Sequence, residues 1–177
     1  METATIQSPP RTMMEVFKSL PEGTLVQLIE NNLTMAPAPR PLHQEILNDI
    51  NFELLKFVKQ EQTGTIYTSP IDVYLDDQNI FQPDILFISN DNKGVIRDDG
   101  LHGAPDLVIE LLSSSTAKYD LHEKKDVYER SGVKEYWIVD PETKEVQGYF
   151  LEKGGYGEPV IEKGIIHSRM LDYEFNF

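Results

Sequence analysis

The chain has 177 residues, enough for one domain with a substantial buried core. It contains no cysteine, which excludes a disulfide scaffold, a thiolate metal site and a thiol nucleophile. Asp and Glu number 30 against 16 Lys and Arg, a net charge of -14 at pH 7, so any binding to a polyanion must rest on a local basic patch set against an unfavourable overall field.

Residues 1–12 are polar, carry Pro9-Pro10, and read as a flexible leader ahead of a single domain over 13–177. The opening Met1-Glu2-Thr3-Ala4-Thr5 has neither a basic nor an apolar stretch of the kind that directs secretion. No apolar run approaches the roughly 20 residues that span a bilayer. The expectation is a cytoplasmic protein with no membrane segment.

Met13 to Leu20 suits a short helix that stops before Pro21. Leu25 to Ile29 and Leu33 to Met35 suit two short strands, and Asn31-Asn32 between them suits a tight hairpin because Asn tolerates positive φ. Pro37, Pro39 and Pro41 mark an extended connection, and Pro41 stands where a helix can begin. Leu42, Ile46, Ile50, Leu54 and Phe57 recur at spacings of three and four, which predicts a helix from Leu42 to about Lys59. The runs Ile71–Leu75 and Ile80–Ile88, separated by Asp76-Asp77-Gln78-Asn79, predict a hairpin, and residues 89–104 read as a long loop.

Asp106–Leu112 is apolar on both alternating faces, as in a central strand covered on both sides. After Ser113-Ser114-Ser115-Thr116, Asp120 is placed to cap a helix running to about Arg130, closed by Gly132. Tyr136–Val139 is a second buried strand, stopped by Asp140-Pro141. Two late strands follow, Val146–Leu151 and one near Val160-Ile161, with a last edge from Met170 to Phe177. The class is α/β: a mixed sheet flanked by helices, with an N-terminal hairpin. Residues 71–75, 80–88, 106–112 and 136–139 are expected as neighbouring strands of one sheet.

Three residues fit a purely structural role poorly. Glu110 lies inside the buried run, where a carboxylate must be paired, protonated or metal-bound. Asp84 follows Gln82-Pro83 at the head of Ile85–Ile88, a place more commonly taken by a turn acceptor than by a ligand. Lys124 falls near the centre of the stripe drawn by Leu121, Val127 and Tyr128, whereas Lys125 falls to one side. Lys124 either meets an acidic partner inside or snorkels its ammonium to water. Asp72 ranks lower, since alternation turns it outward. The four histidines form no zinc-ligand spacing, and there is no GxSxG, Walker loop or GxGxxG.

Gln82-Pro83-Asp84, the run Gly103–Ser113, Tyr119-Asp120 onward to Lys124, and Tyr128 with Gly132-Val133 and Glu135–Pro141 together resemble the Uma-two family. That family is similar in fold to restriction endonucleases of the PD-(D/E)XK superfamily. The resemblance runs from about Met14 to the C-terminus. It implies that Asp84 is the aspartate of the PD element and Glu110 the acid of the (D/E)XK element. The lysine due two residues after Glu110 is Leu112 here, and the resemblance implies that its place is taken by Lys124 on the following helix. The family often reads ELIDGE where this chain has Gln27–Asn32, so two acidic positions are amides. Glu30, Gln82 and His43, the last matching a histidine usual at this helix start, are supporting positions behind the ligands.

The implied activity is metal-dependent endonucleolytic hydrolysis of DNA. Magnesium, with manganese as a substitute, would be held by Asp84, Glu110 and the backbone carbonyl of Leu111, and Lys124 would orient the water or stabilise the transition state. On that reading Lys124→Ala leaves the fold intact, and the enzyme is a two-fold homodimer matched to duplex DNA. The competing reading is a nuclease-like module that binds DNA or a protein partner without catalysis.

Overall fold

The computed structural model describes residues 9–21, 23–35, 38–113 and 117–177. The start of the expected leader, residue 37 of the proline-rich connection and residues 114–116 of the linker before the late helix lie outside them. The chain opens with helix α1 (Met13–Lys18), capped by the Thr12 side chain on the Glu15 N–H. Strands β1 (Val26–Ile29) and β2 (Asn32–Met35) form the expected hairpin, with Glu30 and Asn31 at φ 47° and 62° in the turn. Helix α2 (Pro41–Glu61) carries proline in its first turn, where the missing N–H is harmless.

The next strands are β3 (Gly64–Thr68), β4 (Val73–Asp76), β5 (Asn79–Phe81) and β6 (Ile85–Ser89). A 3₁₀ turn over Asn90–Val95 leads to β7 (Ile96–Arg97) and β8 (Gly100–His102), so the expected long loop is partly ordered pairing. Then come β9 (Leu107–Leu111), helices α3 (Ala117–Leu121) and α4 (Glu123–Ser131), and β10 (Glu135–Val139). The C-terminal part holds β11 (Glu145–Glu152), β12 (Gly155–Tyr156), β13 (Val160–Lys163), β14 (Ile165–Ser168) and β15 (Tyr173–Asn176).

The central sheet has the order β12-β11-β10-β9-β6-β3, with β13 also on β11. Its β9 and β10 are parallel, joined through α3 and α4, and the flanking pairs β6–β9 and β10–β11 are antiparallel. A second sheet runs β2-β1-β5-β4-β8-β7. The expectation that 71–75 and 80–88 pair within the central sheet is therefore corrected. The run 80–88 is two strands in two sheets, and the break falls at Gln82–Asp84. Proline has no N–H for a ladder, so Pro83 ends one strand and the chain enters the other sheet beyond it.

Alternation divides the core into two layers. Leu107, Ile109 and Leu111 of β9 pack with Trp137, Val139 and the α2 stripe Ile46, Leu47, Ile50, Leu54 and Val58. Val108 of β9 packs on the opposite side, with Tyr136, Ile138 and the α4 residues Val127 and Tyr128. Glu110 shares that second face by its position in the strand. The only charge in β9 is thus directed at α4, in a layer whose packed residues are mostly apolar and aromatic.

Candidate active site

A cleft of about 770 Å³ opens where three chain breaks meet. The N-terminus of α2 supplies Arg40, His43 and Gln44, the break between β5 and β6 supplies Gln82 and Asp84, and the end of β9 supplies Glu110, Leu111 and Ser113. Lys124 and Asp140-Pro141-Glu142 complete the wall. The cleft lies at the carboxyl ends of the parallel strands β9 and β10, which is where α/β sheets commonly present ligand sites.

Glu110 is 3% exposed, yet it is not alone. Lys124 Nζ donates to Glu110 Oε1 at 2.8 Å, and the Tyr128 hydroxyl donates to the same oxygen at 2.9 Å. Lys124 and Tyr128 are four residues apart on α4, so one helix face delivers both donors. Burial pushes the Glu110 carboxyl up to about 8, against the opposing pull of the Lys124 ammonium. Burial by itself would lower the lysine, but Asp120 and Glu110 outweigh it and hold the ammonium above its usual range.

Asp120 is the second buried acid beside Lys124. It does not cap a helix: it sits inside α3, 1% exposed, with Oδ1 3.0 Å from Lys124 Nζ. Helix α4 starts after His122, whose φ of -129° and ψ of -84° interrupt the helix, and no side chain caps that start. Gly132 does close α4 in the left-handed conformation. Lys124 is therefore inward, 2% exposed, and shared between two buried carboxylates rather than snorkelling.

Asp84 is partly exposed at the cleft wall. Its Oδ2 accepts the Leu111 N–H at 2.8 Å, which ties the residue before β6 to the end of β9 beside Glu110. His43 Nε2 lies 3.4 Å from the same oxygen. The Asp84 carboxylate, followed by the Leu111 backbone and Glu110, raises the pKa of the His43 ring despite its partial burial. Gln82 lines the cleft and donates from Nε2 to Asp72 at 2.8 Å and to the Thr24 carbonyl at 3.2 Å. Glu30 is not at the cleft. It sits in the exposed β1–β2 turn and pairs with Arg130 at 2.5 Å, because an acid at a hairpin tip is carried to the sheet end rather than to its face.

Asp84 and Glu110 offer hard oxygen donors, with neither sulfur nor a histidine cluster beside them. Among the described residues no group of three or more His, Asp or Glu is placed to hold a metal ion, so an ion here would rest on two carboxylates and backbone oxygen. A set of two carboxylates plus backbone suits magnesium, which keeps several of its waters, better than zinc. Charge agrees once Glu110 is ionised: Asp84, Glu110 and Asp120 then outnumber Lys124 and a protonated His43 by one negative charge. The residues present fit a divalent cation.

A family model described as "Putative restriction endonuclease", Uma2, matches residues 14–176. The solved structures that match include the crystal structure of "a putative nuclease belonging to DUF820" from Anabaena variabilis, 17% identical with a TM-score of 0.76, covering 92% of each chain. At that identity the likeness is one of fold. No curated protein matches the chain. Among the described residues no helix is long and apolar enough to cross a membrane. The family model takes in the β5–β6 break, β9, α4 and β10, the elements that wall the cleft, and on that match the chain belongs to the Uma2 family.

Proposed function

We propose that this protein is a magnesium-dependent endonuclease that hydrolyses phosphodiester bonds of DNA, with manganese as a substitute. The observation that carries the proposal is the convergence of Asp84, Glu110 and Lys124 on one cleft, with Glu110 buried and its charge only partly compensated. The carboxylates of Asp84 and Glu110 and the Leu111 carbonyl would hold the ion. Bound there, the ion would polarise the scissile phosphate and lower the pKa of a coordinated water. Lys124 donates one N–H to Glu110 and lies 3.0 Å from Asp120 Oδ1, and a remaining N–H serves a phosphate oxygen or the attacking water. Leu111 N–H and His43 keep Asp84 oriented. The enzyme acts as a two-fold dimer on duplex DNA, so light scattering should give twice the chain mass of 20.3 kDa, and a monomer at high concentration would remove that part of the proposal.

A second reading, a nuclease-like module that binds DNA or a protein without cutting, is favoured by the net charge of -14, which opposes tight hold on a polyanion. Calorimetry with magnesium or manganese separates the two at their first step. Wild-type protein should bind one ion per chain, and Glu110→Gln should weaken that binding by at least about 10-fold, by comparison with the losses known for groups around a metal. Equal affinity in the variant would remove Glu110 from the site.

The pH dependence has a definite sign. A proton on Glu110 competes with the ion, and burial places that proton's release at about 8. Protonated His43, favoured by Asp84, also repels a cation. Both effects weaken binding as pH falls, so affinity should climb from pH 6 to about 8, level off above, and release protons on the way. An affinity flat over that interval would contradict the assignment.

A further inference from the structure

We propose that Asp120 is a positioning residue of this site: its buried carboxylate, 3.0 Å from the Lys124 ammonium, holds that ammonium and offsets its charge, so that a divalent cation can sit beside Glu110. The inference rests on the proposal that Glu110 binds such an ion.

A structural ion pair needs one acid for one base. Here Lys124 Nζ lies 2.8 Å from Glu110 Oε1 and 3.0 Å from Asp120 Oδ1, and all three residues are at most 3% exposed. The second buried carboxylate is surplus to neutralisation, and a surplus buried charge is costly unless something else uses it. With Asp84 included and Glu110 ionised, three carboxylates stand against the Lys124 ammonium while His43 is neutral, a local excess of negative charge that favours a divalent cation. Deleting the Asp120 charge reduces that excess. It also leaves the ammonium to Glu110 alone, where its charge opposes a cation on the same carboxylate.

The Asp120 carbonyl carries a separate structural bond. The Tyr136 hydroxyl, from β10, donates to the Asp120 carbonyl at 2.8 Å. That bond fixes α3 over the sheet without touching the carboxylate, so structural support and charge can be removed separately.

The test is calorimetry with magnesium chloride at pH 9 on wild type, Asp120→Asn, Asp120→Ser and Tyr136→Phe, with thermal unfolding of each. Asp120→Asn should fold and bind magnesium about 10–100-fold more weakly, the loss typical of partners that orient a metal ligand. Asp120→Ser, which is smaller, carries the same expectation. Tyr136→Phe should lower the unfolding temperature and bind as wild type does. Wild-type affinity in Asp120→Asn, an equal loss in Tyr136→Phe, or failure of both Asp120 variants to fold would overturn the proposal and leave Asp120 a structural role. Absence of magnesium and manganese binding in the wild type itself would instead overturn the functional reading on which this one rests.

Discussion

Replacing Lys124 by alanine should cost about 3–5 kcal/mol of folding stability, the usual consequence of removing one partner from a buried ion pair. The expectation from sequence alone, that this substitution spares the fold, does not survive the geometry. The ammonium is 2% exposed and stands between Glu110 and Asp120, themselves 3% and 1% exposed. Alanine would leave two carboxylates facing each other across a cavity, with the Tyr128 hydroxyl as the remaining donor to Glu110. Such a loss is a large part of the roughly 5–15 kcal/mol that holds a domain together. Urea titration should show the midpoint falling with an unchanged slope. Lys125→Ala, one position off the inward stripe, should change stability by no more than about 0.5 kcal/mol. A loss below about 1 kcal/mol in Lys124→Ala would mean that the two acids do not rely on this lysine.

Lys124 also shows how far a sequence can be read. Its inward position followed from the spacing of Leu121, Val127 and Tyr128, and Glu110 stood out as the one charge in an apolar strand. Both signals are local, because each depends on the period of a single element. What stayed hidden depends on elements meeting. Asp120 stands where a helix start is expected, and Asp is a common cap, so capping was the natural reading. The helix begins earlier, at Ala117, and is interrupted at His122, which turns the supposed cap into an internal, buried acid. Tyr128 read as part of the apolar stripe, while its hydroxyl completes the hold on Glu110.

The sheets divide the same way. The β1–β2 hairpin, the long helix α2 and the buried strands β9 and β10 were legible from turn residues and periodicity. The split of residues 80–88 was not, although Pro83 marked its place, because proline shows where a ladder ends and not where the chain goes next. Strand β3 went unread: Gly64–Thr68 is half-buried throughout and has no sharp alternation. The family resemblance points Glu30 toward the site, and the hairpin carries it to Arg130 instead.

The most direct test of the central claim is nicking of a supercoiled plasmid by wild-type protein and Asp84→Asn, with magnesium, with manganese and with a chelator. Asp84 lines the cleft with partial exposure, so its amide variant spares the buried charge cluster that Lys124→Ala would disrupt. The wild type should cleave with either metal and not with the chelator, at a rate that falls at least about 10²-fold in Asp84→Asn, the scale set by losing a group that stabilises the transition state. Cleavage that persists in the chelator, or an Asp84→Asn variant as active as the wild type, would contradict the account, and a wild type that leaves every plasmid intact would leave the non-catalytic binding module in its place.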